Sequence, residues 1–194
     1  MAIPLGVLGS SHKAAAAGIT LTYVAGYDTG SATVTIGAAT ATRTVVVLGG
    51  AQGNVDLTCT IGGAAATVDY VTSGVARSLI AARATVPSGT TVTVAGNFSG
   101  FGVWVSPDAI APVDIEVSGI DTGTVTLATV AGGAAAAHAS SDSGAGGATW
   151  TGLTERYDLL RSHGADAVTT GANLSVTHAS WSARFVAVSY GPAA

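Results

Sequence analysis

The chain has 194 residues, of which 48% are hydrophobic but only 9% are charged, against about 25% charged residues in a typical domain. This length suits one all-β domain, and we assign residues 1–194 to a single domain. The formal net charge is −4 and Lys13 is the only lysine in the sequence, so the chain has no basic patch for nucleic acid or for an anionic membrane. No stretch reaches the about 18 large apolar residues that a membrane-spanning helix requires.

The N-terminal part begins with a short apolar run and continues with small residues. We interpret residues 1–18 as a short N-terminal arm or an edge strand, since Pro4 is tolerated near the edge of a sheet. Alternating side chains then predict strands at 19–24 and 33–36, separated by a glycine-containing turn.

The segment 42–61 predicts the centre of the fold. Residues 44–48 form a continuous apolar and β-branched run, which is typical of a strand buried on both faces. A turn of glycine and asparagine follows, and after it the side chains alternate, with Leu57 and Cys59 on the apolar face. We therefore expect a central hairpin with Val46 and Leu57 in the core. Cys59 is the single cysteine, so it cannot form an internal disulfide, and we expect it to be buried.

The rest of the chain consists of short apolar or alternating segments separated by turn residues. Residues 140–148 predict a flexible loop, and residues 158–164 predict a loop or a short helix. With about twelve to fourteen strands and no long amphipathic helix, the pattern predicts an all-β fold, namely a single jelly-roll-like antiparallel β-sandwich with a short N-terminal arm. The further predicted strands lie at 66–71, 75–84, 91–95, 101–105, 113–117, 124–130, 134–139, 150–157, 174–178 and 182–190. Of these, 75–84 fits a helix or a strand, and we favour a strand because turn residues and another strand follow directly.

Four segments carry a resemblance to known proteins: IGAATATRTVVVLGGAQG at 36–53, TIGGAAATV at 60–68, ARATVPSGTTVTV at 82–94 and WSARFVAVSY at 181–190. In these segments the chain resembles a family of bacteriophage and prophage proteins that are jelly-roll-like β-sandwiches of the virion, either head decoration or spike proteins or tail-associated proteins. The resemblance extends in order over nearly the whole chain. It implies a structural role and transfers no site residue, because the matching residues are turns and core strands.

The sequence contains no recognisable catalytic or metal-binding motif. Its histidines lack HxH or HExxH spacing, and we expect them at surface or hydrogen-bonded loop positions: His12, His138, His163 and His178. The consecutive Ser140, Ser141 and Asp142 lack the context of a catalytic triad. Asp166 follows His163 closely, and we interpret the two as part of a solvated loop. We therefore predict no catalytic residue, no metal site and no cofactor, and a protein that is not an enzyme.

The tryptophans Trp104, Trp150 and Trp181 are the residues that we assign to a sugar-stacking platform or to an interface. Packing in a core or an interface is the more common use of tryptophan, because the side chain buries a large area. Trp104 is the best candidate for an exposed position, since it lies opposite Phe101 and Val103 in its predicted strand.

These observations predict a non-enzymatic structural protein of a bacteriophage particle, located in the virion, in particular a capsid decoration (cement) or head-spike protein. The alternatives are a tail or fibre component and a carbohydrate-binding β-sandwich module that binds a receptor. The expected partners are further copies of the chain, with a trimer preferred, and capsid or tail proteins. Under the receptor-binding alternative the partner is a host-surface glycan. The reason to expect assembly is that few charges and exposed strand edges give little protection against association.

Overall fold

The structure is a computed structural model, and it describes residues 18–74, 76–120, 123–141, 149–179 and 183–193. Residues 1–17 of the predicted N-terminal arm and Trp181 lie outside this part of the chain. The described residues form antiparallel β-strands and no helix, which confirms the predicted all-β class. In chain order the strands are β1 (Thr22–Tyr27), β2 (Ser31–Thr35), β3 (Thr44–Gln52), β4 (Cys59–Ile61), β5 (Ala64–Ala65), β6 (Thr67–Thr72), β7 (Arg77–Thr85), β8 (Thr91–Gly96), β9 (Gly100–Ser106), β10 (Ile110–Val117), β11 (Gly123–Leu127), β12 (Ala131–Ser140), β13 (Thr149–Thr151), β14 (Thr154–Asp158), β15 (Ser162–Thr170), β16 (Leu174–Ala179) and β17 (Arg184–Pro192).

The strands form four sheets that are stacked in four layers. The first inner sheet has the order β1-β9-β3-β7-β6, and the second inner sheet has the order β10-β17-β12-β15-β14. The first outer sheet is β2-β8-β4-β5, and the second outer sheet is β11-β16-β13. Three apolar cores fill the spaces between the sheets. The first outer core lies between the first inner and first outer sheets, the second outer core lies between the second inner and second outer sheets, and the central core lies between the two inner sheets. The structure thus has four sheets where a single sandwich would have two.

Strand β3 lies in the middle of the first inner sheet and is buried on both faces, as its continuous apolar run predicted. Val45 and Val47 belong to the first outer core, whereas Val46 and Leu48 belong to the central core. The predicted burial of Val46, Leu57 and Cys59 is confirmed. A strand between two apolar layers needs no polar face, which is why its side chains do not alternate in polarity.

The predicted central hairpin is wrong. Strand β3 pairs with β7 and β9 in the inner sheet, whereas β4 pairs with β5 and β8 in the outer sheet. The glycine-rich segment between them therefore carries the chain from one layer to the next. Two adjacent segments with strand patterns are compatible with a hairpin and with a crossing between layers, because the same glycine and asparagine residues occur in both kinds of connection.

The two halves of the chain, residues 18–107 and 108–193, have the same topology. In each half the first, eighth, third, sixth and fifth strands take the same places in the inner sheet once the two-residue β5 is set aside, as the orders β1-β9-β3-β7-β6 and β10-β17-β12-β15-β14 show. The outer sheets agree in the same way, with β2-β8-β4 against β11-β16-β13. This wrapping of strands between two sheets is that of a jelly roll. The molecule consists of two jelly-roll-like halves that pack through their inner sheets.

Local details are also repeated between the halves. A β-bulge precedes Tyr70 in β6, and a β-bulge precedes Tyr157 in β14. The bulge residue carries an ion pair in both cases, but with the charges exchanged: Asp69 binds Arg83 at 3.0 Å in the first half. In the second half the bulge residue is the arginine, Arg156, and it binds Asp166 at 2.7 Å.

The outer sheets repeat a pair of threonine hydroxyls. The Oγ1 atoms of Thr33 and Thr93 lie 3.2 Å apart on the first outer sheet, and those of Thr124 and Thr177 lie 2.8 Å apart on the second. The neighbouring valines of each pair point into the core below. These matches fix which residues of the two halves are equivalent.

The interpretation of residues 158–164 as a loop or a short helix is wrong over its second half, since β15 begins at Ser162. This strand, Ser162–Thr170, contains Gly, Ala, Asp and His rather than a run of β-branched residues. It is a strand because it pairs with β12 on one side and β14 on the other, and not because of its own propensity.

Candidate functional site: a buried serine and histidine cluster

Trp104 is fully buried, so the prediction that it is the best exposed tryptophan is wrong. It points into the central core between the two inner sheets, where its indole Nε1–H donates a hydrogen bond of 2.9 Å to the Oδ2 atom of Asp166. The same carboxylate accepts a hydrogen bond from Arg156. Trp104 therefore joins the two halves and cannot form a sugar-stacking platform.

Trp150 is half-buried on β13, and Trp181 lies outside the described residues. The Trp150 ring packs 4.4 Å from the ring of His178 and 5.5 Å from that of Phe185, between centroids. Of the two tryptophans that the structure describes, Trp150 is the one that packs against His178.

The histidines of the described residues are not surface or loop residues, contrary to the prediction. His138, His163 and His178 lie on β12, β15 and β16, and all three are fully buried. His163 and His178 face the core between the second inner and outer sheets, with ring centroids 5.5 Å apart. His138 makes its contact with Tyr157, a residue of the central core.

The internal repeat shows what the fold itself places at these positions. In the first half Val71 lies opposite Ile80, and in the second half Asp158 lies opposite His163 at the equivalent place beside the bulge. His163 is thus equivalent to Ile80, a buried member of the first outer core. The equivalent pair is thus fully aliphatic in the first half and consists of a carboxylate and an imidazole in the second.

The neighbouring positions have changed in the same way. His178 follows the paired Thr177, just as Val94 follows Thr93 in the first half. On the central strands Ala139 lies opposite His163 as Gly49 lies opposite Ile80, which makes Ser141 equivalent to Ala51. Val94 and Ala51 are both buried in the first outer core.

The polar side chains of the second half form a continuous chain of hydrogen bonds. The Oδ1 atom of Asp158 lies 2.6 Å from Nδ1 of His163. On the other side of the ring, Nε2 of His163 lies 2.9 Å from Oγ of Ser141. His163 and Ser141 are fully buried, whereas the side chain of Asp158 is 30% exposed.

The direction of these bonds follows from the carboxylate. An ionised Asp158 can only accept, so Nδ1 of His163 must carry the hydrogen. When the ring carries no second hydrogen, Nε2 is an acceptor, to which the hydroxyl of Ser141 donates. A hydroxyl that donates to an imidazole oriented by a carboxylate is the arrangement of a Ser-His-Asp triad.

His178 contributes a different property to the cluster. Neither of its ring nitrogens has a hydrogen-bond partner among the described residues. Burial, reinforced by the neighbouring His163, lowers the pKa of His178 to about 4, so the ring is neutral at pH 7. Among the described residues, the one N–H of this neutral, buried ring therefore has no acceptor.

His138 is held on the other face of the second inner sheet. Its Nδ1 lies 2.7 Å from the hydroxyl of Tyr157. Burial lowers the pKa of His138 to about 3 and raises the pKa of Tyr157 well above 10, so both side chains are neutral at pH 7. Gly164 permits this approach, because a Cβ atom there would overlap the Tyr157 ring.

The described residues contain no group of three His, Cys, Asp or Glu side chains placed to hold a metal ion. Both ring nitrogens of His163 are engaged, by Asp158 and Ser141. The geometry of the cluster is therefore that of proton transfer along hydrogen bonds.

A groove of about 530 Å³ lies beside β1 and β2. Its charged lining residue is Arg43, whose guanidinium is buried and donates to four backbone carbonyls, those of Gly37, Val86, Ser88 and Gly89. Arg43 thus stabilises the surrounding loops and is not available to a ligand.

No family model, curated protein or solved structure matches the chain. The resemblance to phage proteins therefore stays a prediction. Over the residues that the structure describes, no helix is long and apolar enough to cross a membrane.

Proposed function

We propose that the protein is a structural component of a bacteriophage particle, placed as a capsid decoration or head-spike protein in the virion. Two observations support this proposal besides the sequence resemblance. The jelly roll is an architecture that viral capsid proteins use, and the chain contains two such halves. The low content of charged residues, 9%, leaves little electrostatic repulsion between neighbouring subunits.

The observation that carries the proposal is the likeness of the two outer surfaces. Because the halves pack through their inner sheets, both outer sheets face away from the molecule. Each presents rows of short hydroxyl side chains without a charge, which are Thr33, Thr35, Thr91 and Thr93 on one sheet and Thr124, Thr126 and Ser175 on the other. A subunit with two similar neutral faces can contact neighbours on both sides.

Exposed apolar side chains add to the contact surface. Val168 is 79% exposed and Leu160 is 58% exposed, both in the second half. The sheets also end in open edge strands, such as β10 and β14 in the second inner sheet. Unpaired strand edges and exposed apolar residues both favour association.

The alternatives remain a tail or fibre position and a carbohydrate-binding module that recognises a host-surface glycan. The burial of Trp104 removes the best tryptophan of the carbohydrate hypothesis. No observation on the described residues favours it over assembly, and the assembly role requires no catalysis.

The test is light scattering of the purified protein at increasing concentration, together with its binding to phage particles from which it has been removed. We expect a closed oligomer, with a trimer preferred, or saturable binding to the stripped particles. The double variant Thr35→Lys/Thr91→Lys places two charges on the first outer face, and Thr126→Lys places one on the second. A loss of assembly in one of these variants identifies the contacting face. A wild-type protein that stays monomeric and does not bind the particles would refute the proposal.

A further inference from the structure

We propose that Ser141 is an activated nucleophile that reacts with carboxylic esters, with His163 as its base and Asp158 as the positioning residue of that base. The basis is the chain of contacts from Asp158 to His163 at 2.6 Å and from His163 to Ser141 at 2.9 Å. This inference does not depend on the assembly role, and either can hold without the other.

The first half of the molecule is an internal reference for this site. It builds the same core from Ile80, Val94 and Ala51, so the fold is satisfied by apolar residues at these positions. Placing His163 and His178 at the first two of these positions buries polar groups, and this costs stability where they are not fully hydrogen-bonded. Folding alone therefore does not account for the polar cluster of the second half.

The reaction begins with the hydrogen bond that Ser141 donates. As its Oγ atom attacks the ester carbonyl carbon, the hydroxyl proton passes to Nε2 of His163. The bond from the acyl carbon to the alcohol oxygen breaks, and the alcohol leaves with the proton from Nε2. Water then loses a proton to Nε2 and attacks the acyl group; the bond from the acyl carbon to Oγ breaks, the carboxylic acid is released, and the proton on Nε2 returns to Oγ of Ser141. The sum is ester plus water giving acid plus alcohol.

His178 supplies the group that a triad alone lacks. Its ring lies against those of His163, Trp150 and Phe185 and carries an N–H without an acceptor among the described residues. A buried donor at the reacting carbonyl stabilises the negative oxygen that forms on the acyl carbon during attack, and this is the role that the proposal assigns to the N–H of His178. The aromatic walls and the absence of a net charge on neutral His178 favour a small uncharged ester.

The cluster reaches the surface through Asp158, whose side chain is 30% exposed, and through the half-buried Trp150. Ser141 itself is fully buried, so a reagent reaches it only when this end of the core opens. Small probes are therefore required, and the reaction is expected to be slow.

The experiment is labelling of the purified full-length protein with a small alkyl fluorophosphonate, followed by intact-mass measurement and peptide mapping. The expected result is one adduct, located at Ser141, with p-nitrophenyl acetate hydrolysis lost in the labelled protein. Labelling should stop in urea, where the cluster is dispersed. No adduct, an adduct at another residue, or equal labelling in urea would each overturn the proposal, and none of these readings requires a variant.

Variants then test the roles. His163→Gln should lower the labelling rate by about 100-fold or more, the contribution of a general base, and His178→Val by about 100-fold if its N–H acts on the oxyanion. Asp158→Asn should reduce labelling by favouring the wrong tautomer of His163, and Asp158→Glu should restore part of it. Ser140→Ala, on the opposite face of β12, is the matched control and should label like the wild type. An undiminished rate in His163→Gln would contradict the assignment.

Discussion

The buried histidines predict a pronounced loss of stability in acid. The pKa of His178 is lowered to about 4 and that of His138 to about 3, in both cases because burial disfavours the charged ring. In the unfolded chain both would titrate near 6.5. The unfolded chain therefore binds more protons than the folded protein below pH 6.5, and acid shifts the equilibrium towards unfolding. Stability from these groups is complete above pH 6.5 and decreases as the pH falls towards the folded pKa values.

The magnitude follows from the linkage relation. Each group costs about 1.4 kcal/mol for every pH unit between its unfolded and folded pKa values. Between pH 6.5 and 4.5 both histidines lie in that window, and together they lower the free energy of unfolding by about 5 kcal/mol. Since domains are typically stable by only about 5–15 kcal/mol, this is a large part of the total.

Urea melts at pH 7.5, 6.5, 5.5 and 4.5 measure this dependence. The comparison is with His178→Val, which places at this position the residue type that Val94 provides in the first half. Acidic residues contribute the same background to both proteins, so the difference between the two pH profiles isolates His178. We expect the variant to lose about 2 kcal/mol less than the wild type between pH 6.5 and 4.5. Parallel profiles would refute the reasoning, because they would mean that His178 is protonated as easily when folded as when unfolded.

Three further predictions concern the core, the repeat and the arm. Leu57→Ala should lower the free energy of unfolding by about 2–5 kcal/mol in urea melts, since Leu57 is buried in the first outer core; a loss below about 0.5 kcal/mol would contradict its packing. Arg83→Asp leaves two adjacent carboxylates and should cost about 3 kcal/mol, whereas the exchange Asp69→Arg/Arg83→Asp copies the second half and should recover most of it; an additive double-mutant cycle would argue against the equivalence. Deleting residues 1–18, the expected N-terminal arm, should weaken assembly or particle binding in light scattering while the urea melt is unchanged, because an arm that contacts a neighbouring subunit does not pack in its own core; a destabilised core would show that the arm belongs to the fold.

The strands could be predicted from the sequence wherever side-chain polarity follows burial. The run around Val46 and the alternation around Leu57 indicated their burial correctly, because a strand has a fixed period of two. The pairing of β3 with β7 and β9 could not be predicted, since a glycine turn is compatible with a hairpin and with a change of layer. The internal repeat could not be predicted, because the two halves share their topology but few residues. Even the ion pair of Asp69 and Arg83 has its charges reversed in the second half.

The candidate site could not be found from spacing along the chain. Ser141, Asp158 and His163 come from β12, β14 and β15 and their ends, and they meet only because these strands are neighbours in the second inner sheet. One sequence signal was available, namely that TVTVA at 91–95 matches SVTHA at 175–179 except for its first residue and a histidine in place of Val94. Comparing the two halves in this way would have indicated that His178 occupies a core position.

The effects of His178→Val on acid stability and on labelling of Ser141 together distinguish two roles for the cluster. If the histidines were present only to fill the core, His178→Val would remove the part of the acid sensitivity that His178 causes, and there would be no reactivity to lose. If the cluster is a nucleophile site, His178→Val should gain stability in acid and lose labelling at Ser141, so that stability and reactivity change in opposite directions. A gain in stability with a loss of reactivity is expected where a functional site contains polar groups that the fold does not require. The first half, with Ile80 and Val94 at the same places, shows that the fold does not require them.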